Sequence, residues 1–284
     1  MSSVEVLKSG AFTTIQDLGR LGFSEYGFPI SGVMDQRSFF LANGLLNNDA
    51  ECAVVEWSLI PPVLQFHDDT VVSFTGASMY PKVNNQLLDS KSVLEVKKGD
   101  ILSFNTCKYL VYGYVGIKSG FQTDIVMNSR SFYKGITDKN KLEKGDILPF
   151  IKTSLTPKSN SKLKTPFTQN SVMDIEAFPG IEYSRLSERK QEDLATKVFT
   201  ISNIRSRMAM QLEERLENNL TSILTSPVLP GTVQLTPSGQ LIVLMRDCQT
   251  TGGYPRVLQL KEEAINEIAQ IPSGRAIRFK INEF

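Results

Sequence analysis

Pro230-Gly231-Thr232-Val233-Gln234-Leu235-Thr236-Pro237-Ser238-Gly239-Gln240-Leu241-Ile242-Val243-Leu244-Met245 decides the fold. Thr236-Pro237-Ser238-Gly239 places Pro second and Gly fourth in a four-residue turn, so the apolar runs on either side read as the arms of a hairpin. Leu241 to Met245 is continuously apolar, as expected of a strand buried on both faces at the centre of a sheet. The same rhythm runs outward through the chain. Thr70–Phe74, Ser92–Val96, Ile101–Phe104, Tyr109–Ile117 and Val198–Ile201 are apolar or β-branched runs punctuated by Gly, Pro, Asn and Asp. The chain therefore reads as mainly β.

A short internal echo supports that reading. Lys98-Gly99-Asp100-Ile101-Leu102-Ser103-Phe104 returns as Lys144-Gly145-Asp146-Ile147-Leu148-Pro149-Phe150, a Gly-Asp turn feeding a strand. Two copies are too few for a solenoid. Helical signals are confined to Met34 to Leu46, Tyr183 to Ala195 and Lys261 to Gln270. In the last of these, Ala264, Ile265, Ile268 and Ala269 form one apolar stripe, with Pro272 and Gly274 as the stop. Lys152 to Ser171 is rich in Ser, Thr, Lys and Pro and holds no acid, which reads as a linker or a long surface loop. The expected division is a domain over 1–155, a linker over 156–171 and a domain over 172–284.

Of 284 residues, 31 are Lys or Arg and 30 are Asp or Glu, a balance that argues against a nucleic-acid binder working by neutralising many phosphates while leaving room for a local anion site. No apolar run approaches a membrane span, and Met1-Ser2-Ser3-Val4-Glu5 lacks the features of a secretory leader. A soluble, cytoplasmic protein is expected. Cys52, Cys107 and Cys248 are widely spaced and odd in number, which fits a reducing compartment. The single histidine, His67, lies in the turn-like His67-Asp68-Asp69-Thr70, so a histidine-based metal site or a Ser-His-Asp triad has few parts to draw on. Chemistry here falls to carboxylates, hydroxyls, amides and basic side chains.

Four segments carry more glycine, amide and charge than strand packing needs. In Gly27-Phe28-Pro29-Ile30-Ser31-Gly32-Val33-Met34-Asp35, the turn before a helix can aim backbone N–H groups at an anion. Ser31 serves equally as an N-cap there, with Asp35 a favourable first-turn acid, and local chemistry favours that capping role. Val54-Val55-Glu56-Trp57-Ser58 puts an acid inside an apolar run; Glu56 is either a buried, perturbed carboxylate or a polar-face strand residue. Arg205 and Arg207 alternate along an extended segment and can grip a carboxylate or phosphate. The following Met208-Ala209-Met210-Gln211 lacks the lysine of a biotin attachment site, so no covalent biotin is expected on this chain. The richest segment is Arg246-Asp247-Cys248-Gln249-Thr250-Thr251-Gly252-Gly253-Tyr254-Pro255, which the buried strand delivers. Gly252-Gly253 can adopt positive φ and present an anion nest, or form an ordinary turn. Cys248 is disfavoured as a nucleophile because His67 is the only imidazole. No Walker A loop and no Rossmann glycine fingerprint occurs.

These segments, in this order, resemble the family that contains the C subunit of 5-oxoprolinase (KipA), allophanate hydrolase subunit 2 and the biotin-dependent carboxyltransferase domain of urea carboxylase. The resemblance covers nearly the whole chain. It runs from Thr14-Ile15-Gln16-Asp17-Leu18-Gly19-Arg20 through Ser31-Gly32-Val33-Met34-Asp35 and Thr75-Gly76-Ala77 to Pro230-Gly231-Thr232-Val233-Gln234 and Asp247 to Pro255. It implies two cyclophilin-like β-barrel domains with a few short flanking helices.

The resemblance further implies a C subunit that works with a KipI-like B subunit plus an A subunit, using ATP shared with the partner, to cleave 5-oxo-L-proline to L-glutamate through a phosphorylated lactam. In that reading Arg207, Thr250, Thr251 and the Gly252-Gly253 amides stabilise phosphoryl charge. Gln234 and Gln249 orient the lactam amide, and Asp247 positions a base or a partner cation. Asp247, Gln249 and Arg207 are the catalytic candidates, and Tyr254, Ser31, Gly32 and Asp35 complete the substrate- and anion-binding set. The alternatives are a carboxyltransferase component that accepts carboxybiotin from a separate carrier, and a regulatory protein that sequesters a KipI-like kinase inhibitor. The chain departs from the family pattern at Ala209, Tyr114-Val115-Gly116-Ile117 and Lys134-Gly135-Ile136-Thr137-Asp138, and only Ser129-Arg130-Ser131 survives of a longer block.

Overall fold

The computed structural model describes residues 2–77, 80–88, 92–152 and 171–282. Two compact units divide it, Met1–Arg20 with Ser31–Pro166, and Leu21–Ile30 with Phe167–Phe284. The units are not contiguous in sequence. A cut at 156–171 leaves residues 21–30 with the first domain, yet they group with the second unit, and no composition shift marks them. Of the expected linker, only Ser171 lies among the described residues.

The first unit holds β1 (Ser2–Lys8), β2 (Phe12–Gln16), α1 (Gln36–Leu45), β3 (Val54–Ser58), β4 (Val63–Phe66), β5 (Thr70–Gly76), β6 (Pro81–Val83), β7 (Gln86–Leu87), β8 (Val93–Val96), β9 (Ile101–Phe104), β10 (Tyr112–Ile117) and β11 (Ile147–Phe150). One sheet runs β11-β1-β4-β9-β6-β7 and the other β2-β3-β10-β5-β8. Alternation decides which faces meet. In β1 Val4 and Val6 point inward opposite Phe66 and Leu64 of β4, and both pairs join the core that Val72, Phe74, Val115 and Ile117 supply from the second sheet. Each such side chain contributes about 1.5–3 kcal/mol on burial. All of β10 is buried because it is covered on both faces. Its second face lies under α1, whose Ser38 and Ala42 carbonyls accept hydrogen bonds from Thr75 Oγ1 (2.8 Å) and Ser73 Oγ (2.7 Å).

In both copies of the echoed sequence the Asp carboxylate accepts from the backbone N–H three residues earlier, Lys97 to Asp100 at 2.8 Å and Glu143 to Asp146 at 2.9 Å. Gly99 and Gly145 sit at φ 92° and 90°, which a side chain would resist. The repeat is thus one turn used twice to launch β9 and β11.

The second unit holds β12 (Val172–Pro179), α2 (Glu188–Thr196), β13 (Phe199–Arg205), β14 (Ala209–Leu212), β15 (Ser226–Pro227), β16 (Thr232–Leu235), β17 (Leu241–Leu244), β18 (Thr251–Gly252), β19 (Arg256–Leu260), α3 (Glu262–Gln270) and β20 (Ala276–Ile281). Seven of these strands close a barrel in the order β12-β19-β16-β17-β14-β13-β20, and the parallel pairing of β12 with β20 completes it. β17 lies between β16 and β14, the central place its apolar run requires, and the Gly239 N–H closes the turn onto the Thr236 carbonyl at 2.9 Å. The expected apolar stripe of α3 is buried. The segment from Tyr183 is broken, with a 3-10 turn over Tyr183–Arg185 and α2 starting after Ser187. Among the described residues no helix is long and apolar enough to cross a membrane.

The helix start at α1 corrects the capping assignment. Asp35, not Ser31, is the N-cap, accepting from Ser38 N (3.1 Å) and Ser38 Oγ (2.6 Å), while Ser31 and Gly32 take φ 61° and 89° in the preceding turn. Glu56 is the buried carboxylate of its two readings, 2% exposed and accepting from Met34 N at 2.7 Å. Beside it Tyr114 Oη accepts from Asp35 N at 2.9 Å. Burial first, and then the charges of Glu56 and Asp35, push the Tyr114 phenol well above its usual range, so it stays neutral.

Asp17 plays the corresponding part at the end of β2. Its Oδ1 accepts from Ser129 Oγ (2.6 Å), Ser131 Oγ (2.6 Å) and Gly19 N (2.8 Å), and its Oδ2 from Arg130 N (2.6 Å). Arg20, fully buried, donates to the Ser131 carbonyl. Hydrogen bonds to a charged group are worth about 1.5–3 kcal/mol each, and deleting the acceptor leaves buried donors behind. Asp17→Ala is therefore expected to destabilise the first unit by about 3 kcal/mol, read as a lowered urea midpoint; an unchanged midpoint rules out a structural role for the cage.

Candidate functional site

The residues that follow β17 turn back along a fixed path. Asp247 N donates to the Arg207 carbonyl at 2.9 Å, and the Arg207 guanidinium grips Asp247 through Nε to Oδ2 (2.8 Å) and Nη2 to Oδ1 (2.9 Å). The pair is largely buried, so each charge needs the other. This bidentate contact engages both Asp247 oxygens and fits the two residues to hold the strand end in place. Arg205 is likewise committed: its guanidinium caps the C-terminus of α3 through the carbonyls of Ala269 (2.8 Å) and Ile271.

The anion nest proposed for Gly252-Gly253 does not form, because neither glycine has positive φ. Thr251 and Gly252 make β18, paired with Pro227 and Ser226, and Val228 N donates to the Thr250 carbonyl at 3.1 Å. Glycine is needed at 252 for closeness: an added Cβ would lie 2.4 Å from Gln234 Nε2. Gln234 is only 2% exposed, and its Nε2 has no hydrogen-bond partner among the described residues.

A cavity of about 340 Å³ opens beside this ribbon, entirely within the second unit. Its lining combines Arg246, Glu25, Gln249, Thr250 and Thr251 with the apolar Val228 and Leu229. Of the site residues read from the sequence, the cavity brings together Gln249, Thr250 and Thr251. Arg207, Asp247 and Gln234 are not among its lining residues, and Tyr254 is 39% exposed just after the ribbon. Ser31, Gly32 and Asp35 belong to the first unit.

Arg246 is the functional candidate that sequence reading left unassigned. It is 5% exposed, with Nη2 donating to Asn266 Oδ1 at 2.9 Å and Nη1 to Glu262 Oε2 at 3.3 Å of α3. Its Nε, and Gln249 Oε1, are buried polar atoms without a hydrogen-bond partner among the described residues. Such orphans are uncommon in native interiors and are ordinarily completed by water, an ion or a bound molecule. The signal available was the position itself, a charge placed directly after a buried strand.

The remaining wall is braced by Arg256. It donates to Glu182 through N (2.8 Å), Nε (3.0 Å) and Nη2 (2.8 Å), and to the Pro227 carbonyl through Nη1 (2.9 Å). The Arg256 guanidinium holds the Glu182 carboxyl below the usual range. Cys248 also lines the cavity, but burial, and then the charge of Asp247, push its thiol up to about 12. It is a packing residue. His67 lies in the bend expected for it, with Nδ1 3.1 Å from Ser3 Oγ. Neither Gly252 nor Gly253 has positive φ, and the Arg207 guanidinium is held by Asp247, so the expected nest of glycine amides beside a free arginine is not present.

Comparison with known proteins agrees with this architecture. Residues 26–281 match the family described as carboxyltransferase domain, subdomain A and B. The C subunit of 5-oxoprolinase from Escherichia coli (strain K12) is 30% identical over 97% of this chain and 90% of its own length. Urea amidolyase of Saccharomyces cerevisiae is 31% identical over 61% of this chain, a region that makes up 10% of the yeast protein. The crystal structure of Kluyveromyces lactis urea carboxylase superposes with a TM-score of 0.86 at 24% identity, covering 98% of this chain and 27% of that one.

Two outcomes follow from the wall chemistry. With a thiol pKa near 12, Cys248 is thiolate in about one part in ten thousand at pH 8; iodoacetamide is expected to leave it unmodified in the folded protein and to label it after denaturation, as read by peptide mass. Glu182→Gln is expected to cost about 2 kcal/mol at pH 7, between the values for exposed and buried pairs. Because the folded Glu182 carboxyl titrates below the unfolded one, its stabilisation is complete above about pH 5 and fades as pH falls. Unfolding of the variant measured from pH 7 to pH 3 should therefore converge on the parent at the acid end.

Proposed function

Because the chain belongs to the family of carboxyltransferase domains with subdomains A and B, we propose that it is the C subunit of an ATP-dependent 5-oxoprolinase. In this reading it acts with a KipI-like B subunit plus an A subunit to cleave 5-oxo-L-proline to L-glutamate. The observation that carries the proposal is end-to-end similarity: the alignment with the Escherichia coli C subunit spans nearly all of both chains.

The cavity of the second unit suits this substrate class. A five-membered lactam offers two ring methylenes, an amide and a carboxylate. Val228 and Leu229 supply apolar surface for the methylenes, the Gln249 Oε1 accepts from the lactam N–H, and Arg246, whose charge is paired with Glu262, offers its remaining Nε–H to the carboxylate. A polar group that only the right ligand satisfies is also a source of selectivity, because an analogue lacking the N–H leaves Gln249 unpaired. Arg207 and Asp247 act as positioning residues that fix where Gln249 stands. ATP-dependent activation of the unstrained, resonance-stabilised lactam requires the partner subunits, with which the nucleotide is shared.

A carboxyltransferase role of the urea type is the second reading, favoured by the family description and by the similarity to yeast urea amidolyase. Reconstitution separates the two. Mixed with its cognate A and B subunits and ATP, the chain is expected to raise 5-oxoproline-dependent glutamate release at least tenfold over the mixture lacking it. No increase, together with saturable biotin binding to the isolated chain, would instead support the carboxyltransferase reading.

A further inference from the structure

The first unit contains a second cavity, of about 290 Å³, that neither the family relationship nor the proposed reaction uses. Its lining is polar, and it has room for a molecule of roughly ten non-hydrogen atoms. On one side stands Arg130, half-buried. Its Nη2 donates to Gln122 Oε1 at 3.0 Å, and Gln122 is itself pinned through Nε2 to the carbonyls of Ser119 (2.8 Å) and Gly120 (3.2 Å). The guanidinium is therefore pre-oriented. It has five N–H donors, and among the described residues it meets no carboxylate. One acid of the lining, Asp17, is engaged by its cage of hydroxyl and amide donors.

Asp49 and Glu51 line the same cavity and form no ion pair among the described residues. Both acids are exposed, and neither pairs with Arg130 among the described residues, so the cavity carries both signs of charge with the arginine and these two acids uncommitted to each other. The Cys52 thiol of the same lining is raised by burial first and then by the charge of Asp49, and is lowered by Lys118 and, least, by Arg130. A third observation is backbone strain. Ser119 and Asn128 of the lining, and Met127 beside them, hold φ of 65°, 60° and 52°. Left-handed non-glycine residues are costly and gather where a binding geometry is over-determined. Here they are locked by Ser119 N to Asn48 Oδ1 (2.9 Å) and by the paired bonds between Val126 and Ser129.

We propose that this cavity binds a small α-amino acid, its carboxylate on the Arg130 guanidinium and its ammonium group facing Asp49 and Glu51. The pairing is bidentate in kind at the arginine and electrostatic at the acids. The site is independent of the lactam cavity of the second unit.

Calorimetric titration of the full chain with L-glutamate, L-glutamine and L-alanine tests it, each alongside its N-acetyl derivative, which keeps the carboxylate and loses the ammonium. Saturable binding of at least one amino acid is expected, weakened at least tenfold by acetylation and at least tenfold by Arg130→Met. Asp49→Asn with Glu51→Gln, both at exposed positions, should weaken it at least fivefold in a chain whose thermal unfolding is unchanged. Gln249→Leu, in the other cavity, should leave it unaltered. No saturable binding by any of the three overturns the proposal, as does equal binding of the N-acetyl compound or loss of binding in Gln249→Leu alone.

Discussion

The buried pair between Arg207 and Asp247 is the constraint on which the second unit's site depends. A lone charge inside a protein is costly, so once β14 and β17 bring these residues together neither can turn away without stranding the other. The pair fixes the chain as it leaves the barrel, and the backbone bond from Asp247 N to the Arg207 carbonyl repeats the constraint. From there the path to β18 is short. Gln249, Thr250 and Thr251 inherit their positions from a contact that does not itself need to touch a ligand.

The same logic recurs with different chemistry. Asp17 is held by hydroxyls and amides, Glu56 by a backbone N–H beside a neutral phenol, and Glu182 by three donors of Arg256. In each case an internal carboxylate organises a loop that strand pairing alone would leave loose. These groups spend their hydrogen-bonding capacity on the fold. Groups with capacity left over are therefore the informative ones, and at the cavity of the second unit they are an amide and a guanidinium rather than a nucleophile. This matches a chain with one histidine and a thiol that burial keeps protonated.

Strand positions were legible in the sequence because burial imposes period-two or continuous apolar patterns; Ile101–Phe104 appears at its predicted bounds, and the run from Leu241 forms the central strand expected of it. The Gly-Asp echo was legible for the same reason, since turn chemistry is local. Three features were not. Gly252-Gly253 looked like a nest, but close approach to Gln234 rather than positive φ explains the glycine at 252, and sequence does not show a side chain arriving from another strand. Ser31 looked like a cap because it precedes the helix, while Asp35, nearer the first turn, takes that role. Residues 21–30 joined the second unit although nothing in their composition separates them from their neighbours. Local chemistry was readable, whereas pairing across the chain was not.

The central claim is that the lactam is held in the second unit, with Gln249 reading its N–H. Its most direct test is the affinity of the assembled complex for 5-oxoproline, measured by calorimetry with the parent chain and with Gln249→Leu in the presence of the cognate partner subunits. At least tenfold weaker binding in the variant, with assembly intact, is the predicted result. Equal affinity in the two complexes would contradict it and move the substrate to another surface.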